Sequence, residues 1–157
     1  MKRLVVLAVA IGVVGLAAGR IVPAAAGDTG GGRAFRVVEK FDELAFVDAG
    51  DEGPSLGDTL IFHANLLKRG NKVGHSGGVC TLTSLEEGPG EFQCNATYWF
   101  ENGQITVQGL LQPTGQFPEL FVIPVTGGSG AYQGAGGELH ETQESETRSV
   151  LRFHLDT

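Results

Sequence analysis

Several things are scarce in this 157-residue chain: it has two cysteines, one methionine, one tryptophan, and 11 basic residues against 18 acidic ones. The shortage of positive charge excludes a nucleic-acid or anionic-lipid partner, because both require a basic surface. The four histidines, His63, His75, His140 and His154, are scattered without ligand spacing, so no metal is expected. No Gly-x-Ser-x-Gly elbow lies on a strand-turn-helix, and Gly128-Ser129-Gly130 precedes no helical pattern, which removes the usual sequence argument for a serine hydrolase. No amphipathic helix of useful length can be traced, so the fold is read as all-β.

The one long apolar run, Leu4 to Gly19, follows Lys2 and Arg3 and leads to Ala24-Ala25-Ala26. It falls short of the roughly 20 residues of a membrane span and has the layout of a secretory signal, with an uncleaved anchor as the competing reading. The expected organisation is a signal peptide over 1–26, a flexible glycine-rich lead-in over 27–33, and one β-domain over 34–157, secreted or otherwise extracytoplasmic. Removing residues 1–26, which hold Lys2, Arg3 and Arg20 and no acid, leaves 131 residues at a net charge of −10. Such a chain has no expected membrane association once the signal is cleaved.

Glycine is abundant, with 25 copies, and six of them fall within the thirteen residues Val125 to Gly137. So dense a cluster marks positive φ or backbones too close for a Cβ. The reading adopted is a tight bend in which Tyr132, the one bulky residue, plugs down onto a core. The competing phosphate cradle lacks the following helix.

Alternation of apolar and polar residues marks short strands along the chain. Phe35 to Phe41 places Glu39 on the same face as Phe35, Val37 and Phe41. Thr59 to Leu67 places Leu60, Phe62, Ala64 and Leu66 together. Val73 to Leu85, Glu91 to Glu101, Ile105 to Leu111, Phe117 to Thr126 and Ser149 to Leu155 follow, with Asn102-Gly103 as a hairpin signal and Pro118 and Pro124 arguing for an edge or bulge. The stretch Glu141 to Glu146 reads as a solvated loop or edge. Roughly eight short strands point to a sandwich or barrel, and closure into an eight-stranded antiparallel barrel removes unprotected edges. A hairpin that pairs Leu82 with Phe92 sets Cys80 opposite Cys94, close enough for a disulfide, although two free thiols remain the alternative.

Gly57-Asp58-x-x-x-Phe62, Val73-Gly74, Gly78-Val79-Cys80, Ala96-Thr97-Tyr98, Val107-Gln108-Gly109 and Val125-Thr126-Gly127-Gly128-x-Gly130-x-Tyr132-x-Gly134-Ala135-x-Gly137 together resemble the allene oxide cyclases. Dirigent proteins and bacterial cyclases share a looser version of the last motif. The resemblance implies an eight-stranded barrel with an apolar lumen, a homodimer or homotrimer, a small hydrophobic guest and no cofactor. It implies a catalytic glutamate at Glu39, a cysteine along the substrate at Cys80 and an asparagine at Asn65. Phe41 stands where the family has another asparagine, and Leu111 where it has an aromatic. Simple alternation sends Asn65 outward unless a bulge intervenes. Phe41, Phe62, Tyr98, Phe100 and Leu111 are the expected lining. The reaction class implied is an intramolecular cyclisation of an epoxide, polyene or polyketide-like molecule; a dirigent-like or carrier barrel that binds without catalysis is the alternative.

Overall fold

In the computed structural model the described residues are 32–50, 52–86 and 90–156. The expected signal peptide and the lead-in up to residue 31 lie outside them. Eight strands run β1 Arg33–Val47, β2 Thr59–Lys68, β3 Asn71–Ser84, β4 Glu91–Phe100, β5 Gly103–Leu111, β6 Glu119–Gly130, β7 Gly136–Ser145 and β8 Arg148–Asp156. Each pairs antiparallel with its sequence neighbour, and β1 pairs with β8, so the sheet closes into a barrel.

Two differences from the sequence reading have clear causes. The polar stretch around Glu141 is not a solvated loop but the strand β7, hydrogen-bonded to β6 and β8 along its length. After Leu139 its inward side chains, Glu141 and Gln143, are a carboxyl and an amide where a core strand ordinarily carries apolar groups, so no hydrophobic alternation announces it. β1 is also longer than its first alternating run. Asp42 is an extra residue between Phe41, which faces Ala64, and Glu43, which faces His63. This bulge reverses the parity of the strand, so that Glu39 and Phe41 point inward before it and Leu44 points into the cavity after it. Another register shift falls between Thr106 and Val107 against β6, next to Pro124, which has no N–H to give to a ladder.

The glycine-rich bend joins β6 to β7 and delivers Tyr132 into the interior at 3% exposure. A Cβ at Gly128 would lie 2.3 Å from the Tyr132 carbonyl oxygen and 2.8 Å from that of Gln104, so only glycine lets the turn fold back this closely. Tyr132 joins Phe35, Phe100 and Phe153 at one end of the barrel, with Phe35 and Phe153 stacked at 4.9 Å and Phe100 edge-on to Phe35 at 5.7 Å. This aromatic plug closes that end. The opposite end carries the β1–β2 loop, organised by buried Asp58, whose carboxylate accepts hydrogen bonds from the backbone N–H groups of Ala49 and Ser55 and from the Ser55 hydroxyl at 2.8–3.0 Å. Those backbone donors, Ala49 first, hold the Asp58 carboxyl below its ordinary range.

Candidate active site

Above the plug the lumen is hollow, with a cavity of about 290 Å³. It sits at the lower end of the ~300–1,000 Å³ typical of small-molecule sites. Phe41, Leu44, Leu60, Phe62, Phe92, Val107, Leu111, Phe117, Phe121 and Ile123 supply most of its wall. Phe41 and Phe62 meet edge to face at 5.5 Å. The Phe62 ring lies across Gly78 on the neighbouring strand, where a Cβ would come within 2.4 Å of it.

The floor of the cavity, between apolar wall and aromatic plug, is polar. Glu39 on β1 is 1% exposed and accepts a hydrogen bond of 2.5 Å from the hydroxyl of Ser76 on β3, itself fully buried. Glu141 on β7 lines the same cavity and accepts a 2.7 Å hydrogen bond from Ser149, which sits on β8 directly opposite Glu39. The two acids are thus two strands apart with one serine-bearing strand between them. Tyr98 on β4, 2% exposed, lines the cavity at the same level.

The electrostatics follow from this placement. Burial pushes the Glu39 carboxyl from its ordinary value of 4.5 up to about 8; neighbouring Glu141 pushes the same way, and the Ser76 hydrogen bond opposes both. Burial also raises Glu141, against the opposing hydrogen bond from Ser149. Tyr98 is raised well above its usual range by burial and by the two nearby carboxyls. At neutral pH, therefore, Glu39 is held predominantly as the neutral acid, a form able to donate a proton or hydrogen bond into an apolar space. The two carboxyls titrate as a linked pair.

The expected site residues separate into three groups. Glu39, Phe41, Phe62, Tyr98 and Leu111 all line the cavity. Cys80 lines it too, but it is bonded to Cys94 across the β3–β4 hairpin, where the two residues pair directly. It therefore has no thiolate to contribute, and the catalytic role implied for it is corrected to a structural one. Asn65 and Phe100 do not belong to the cavity. The bulge that would have turned Asn65 inward occurs on β1 instead of β2, so Asn65 faces outward and donates a 2.7 Å hydrogen bond to Asp42. Phe100 lies one inward position below Tyr98 and forms part of the plug.

Sequence reasoning missed Glu141, and with it the second carboxyl of the lumen. The signal available was register: with β7 paired to β8, Glu141 shares its inward face with Leu139 and Gln143. Phe117, Phe121 and Leu44 were likewise hidden by the bulge and by the late start of β6. Among the described residues, no group of three or more His, Cys, Asp or Glu is arranged to hold a metal ion.

Residues 37–155, nearly all of the barrel, match the allene oxide cyclase barrel-like domain. The chain belongs to that family. Among solved structures it is similar to a pyocyanin demethylase at 27% identity, covering 78% of this chain and 99% of that one with a TM-score of 0.70. It also resembles an exo-specific intermolecular Diels–Alderase at 16% identity, covering 79% of this chain and 98% of that one with a TM-score of 0.61. A pterocarpan synthase dirigent protein is similar at 15% identity over 79% of this chain and 92% of its own, with a TM-score of 0.59. At these last two identities the likeness is one of fold. No curated protein matches.

Proposed function

We propose that this member of the allene oxide cyclase barrel-like family is an exported, cofactor-independent isomerase that folds a small hydrophobic molecule in its lumen and assists ring closure by proton transfer at the Glu39–Glu141 pair. One observation carries the reading: a carboxyl held neutral by burial forms the floor of an apolar cavity whose walls are large, closely packed side chains. The walls restrict the guest to a few folded shapes, which lowers the entropic part of the barrier. Glu39, as the neutral acid, protonates or hydrogen-bonds an oxygen on which charge develops. Glu141 accepts a proton or balances a developing cation. Ser76 and Ser149 hold the two carboxyls in place. Phe41, Phe62, Tyr98 and Leu111 are the proposed substrate contacts.

Cyclase and dirigent chemistries both occur among the similar barrels, and the demethylase at 27% identity is a reminder that barrels of this shape host other reactions. The disulfide supports an oxidising compartment. Leu110, Leu120 and Val122, at 50–61% exposure on adjacent outer strands, support self-association into a dimer or trimer.

The test is metabolite capture on the purified mature protein, followed by single-turnover conversion of the captured molecule. Ring closure by the native protein, lost in Glu39→Gln with the circular dichroism unchanged, is the expected result. Equal conversion by Glu39→Gln would refute the assignment of Glu39. Release of the captured molecule unaltered by both proteins would replace the enzyme with a dirigent-like carrier.

A further inference from the structure

The charge pattern of the lumen narrows the guest further, on the basis of the site proposed above. Three carboxyls, Glu39, Glu141 and Glu146, line the cavity, and among the described residues no lysine, arginine or histidine does. The aromatic side chains of Phe41, Phe62 and Phe92 border the same space. Tyr98, 2% exposed, lines the cavity at the same level and brings a phenol hydroxyl to its polar floor.

From this arrangement we infer that the cavity selects a compact apolar molecule bearing a basic nitrogen or a delocalised positive charge, and rejects carboxylates and other anions. Aromatic faces together with acids form a field that attracts a cation, both through the ring quadrupoles and through the carboxylate that the cation brings into its ionised form. An anion would enter the same field without any cationic side chain to offset its desolvation. Where one carboxyl of the pair ionises, the other keeps its proton and, with the Tyr98 hydroxyl, can donate to a heteroatom of the guest.

The pH dependence follows from the groups that face Glu39. Ser76 faces it from β3, Tyr98 from β4, Glu141 from β7 and Ser149 from β8, while β2, β5 and β6 contribute apolar Leu66, Val107 and Ile123. No cationic group stands among them. Ionisation of the pair as pH rises thus strengthens the attraction for a cation and leaves the affinity for a neutral guest unimproved.

Three ring-matched fluorescent probes test this on the mature protein: 9-aminoacridine as the cation, 9-methylanthracene as the neutral molecule and anthracene-9-carboxylate as the anion. The expected result is binding of the cation at least about tenfold tighter than of the anion, a difference of 1.4 kcal/mol. Its affinity should rise between about pH 6 and pH 9 as the pair ionises, with proton release seen as a dependence of calorimetric heat on buffer ionisation enthalpy. The Glu39→Gln/Glu141→Gln double variant should lose the cation preference and keep the neutral probe. An anion that binds as tightly as the cation, a preference that survives the double variant, or no binding of any probe would each overturn the inference. If the double variant does not fold, the ranking on the native protein decides alone. Ring closure of an anionic guest would sink this inference and leave the isomerase standing; cation preference without any turnover would do the reverse.

Discussion

The two halves of the barrel interior are made by the same eight strands and differ in almost every physical respect. In the closed half, Phe35, Phe100, Tyr132 and Phe153 fill the cross-section, and Phe153 is completely buried among them. In the open half, side chains of similar size stand around a void instead of filling it. The boundary between the halves is the level of Glu39, Tyr98 and Glu141. What separates them is a difference of role: packing in the closed half stabilises the fold, and the open half keeps surface unburied for a guest at some cost in stability.

The sharpest way to break that comparison is to remove one ring from each half. Phe153→Ala should destabilise by about 3–5 kcal/mol in urea unfolding, because its cavity cannot collapse inside a closed barrel. Phe62→Ala should cost a small fraction of that and lose probe binding instead, since Phe62 is only half-buried and already borders a void. Equal losses of stability would erase the distinction between the halves.

The disulfide comes next. It closes a 14-residue separation in the wall of the open half, and replacing both cysteines by serine should cost about 3 kcal/mol. A loss near zero would mean that the hairpin register alone holds that wall.

The third prediction concerns the boundary itself. Glu39 has a folded pKa near 8 and an ordinary value of 4.5, so above pH 4.5 the unfolded chain binds fewer protons here than the folded one. Stability therefore falls as pH rises through that window and levels off above about 8, with Glu141 contributing in the same direction. Between about pH 6 and pH 8 the native protein should lose about 2 kcal/mol through Glu39, and Glu39→Gln should flatten the curve by that amount. Parallel curves for the two proteins would show that Glu39 is ionised in the folded state.

The smallest effect is expected at Asn65, which lies outside both halves. Asn65→Ala should change stability by no more than about 0.5 kcal/mol and leave turnover and probe binding untouched. A loss of activity there would require the inner and outer faces of β2 to be exchanged.

Much of the fold was legible because barrel strands repeat a local rule. Alternation placed Glu39, Phe41, Phe62 and Tyr98 inward one strand at a time, the Leu82–Phe92 register brought Cys80 to Cys94, and the glycine cluster marked the bend that carries Tyr132. The misses share a cause. Phe100 and Tyr98 have the same parity, so alternation says that both face inward and nothing about which height along the axis is filled. Glu141 was read as solvated because a carboxylate on a polar stretch usually is.

Taken alone, the amino-acid order determined seven of the eight strands, where the chain turns between most of them, and on which side of most strands each residue lies, since these depend on neighbours one or two positions away. Only closure of the sheet decided that Asp42 is an added residue reversing the parity of β1, that Glu141 comes to share the floor of the lumen with Glu39, and that one end of the barrel is filled while the other is hollow. Those outcomes depend on the stagger of eight strands around a common axis, which brings together residues far apart in the chain. The neutral state of Glu39 belongs with them, because a carboxyl is neutralised by the space around it and not by its place in the chain.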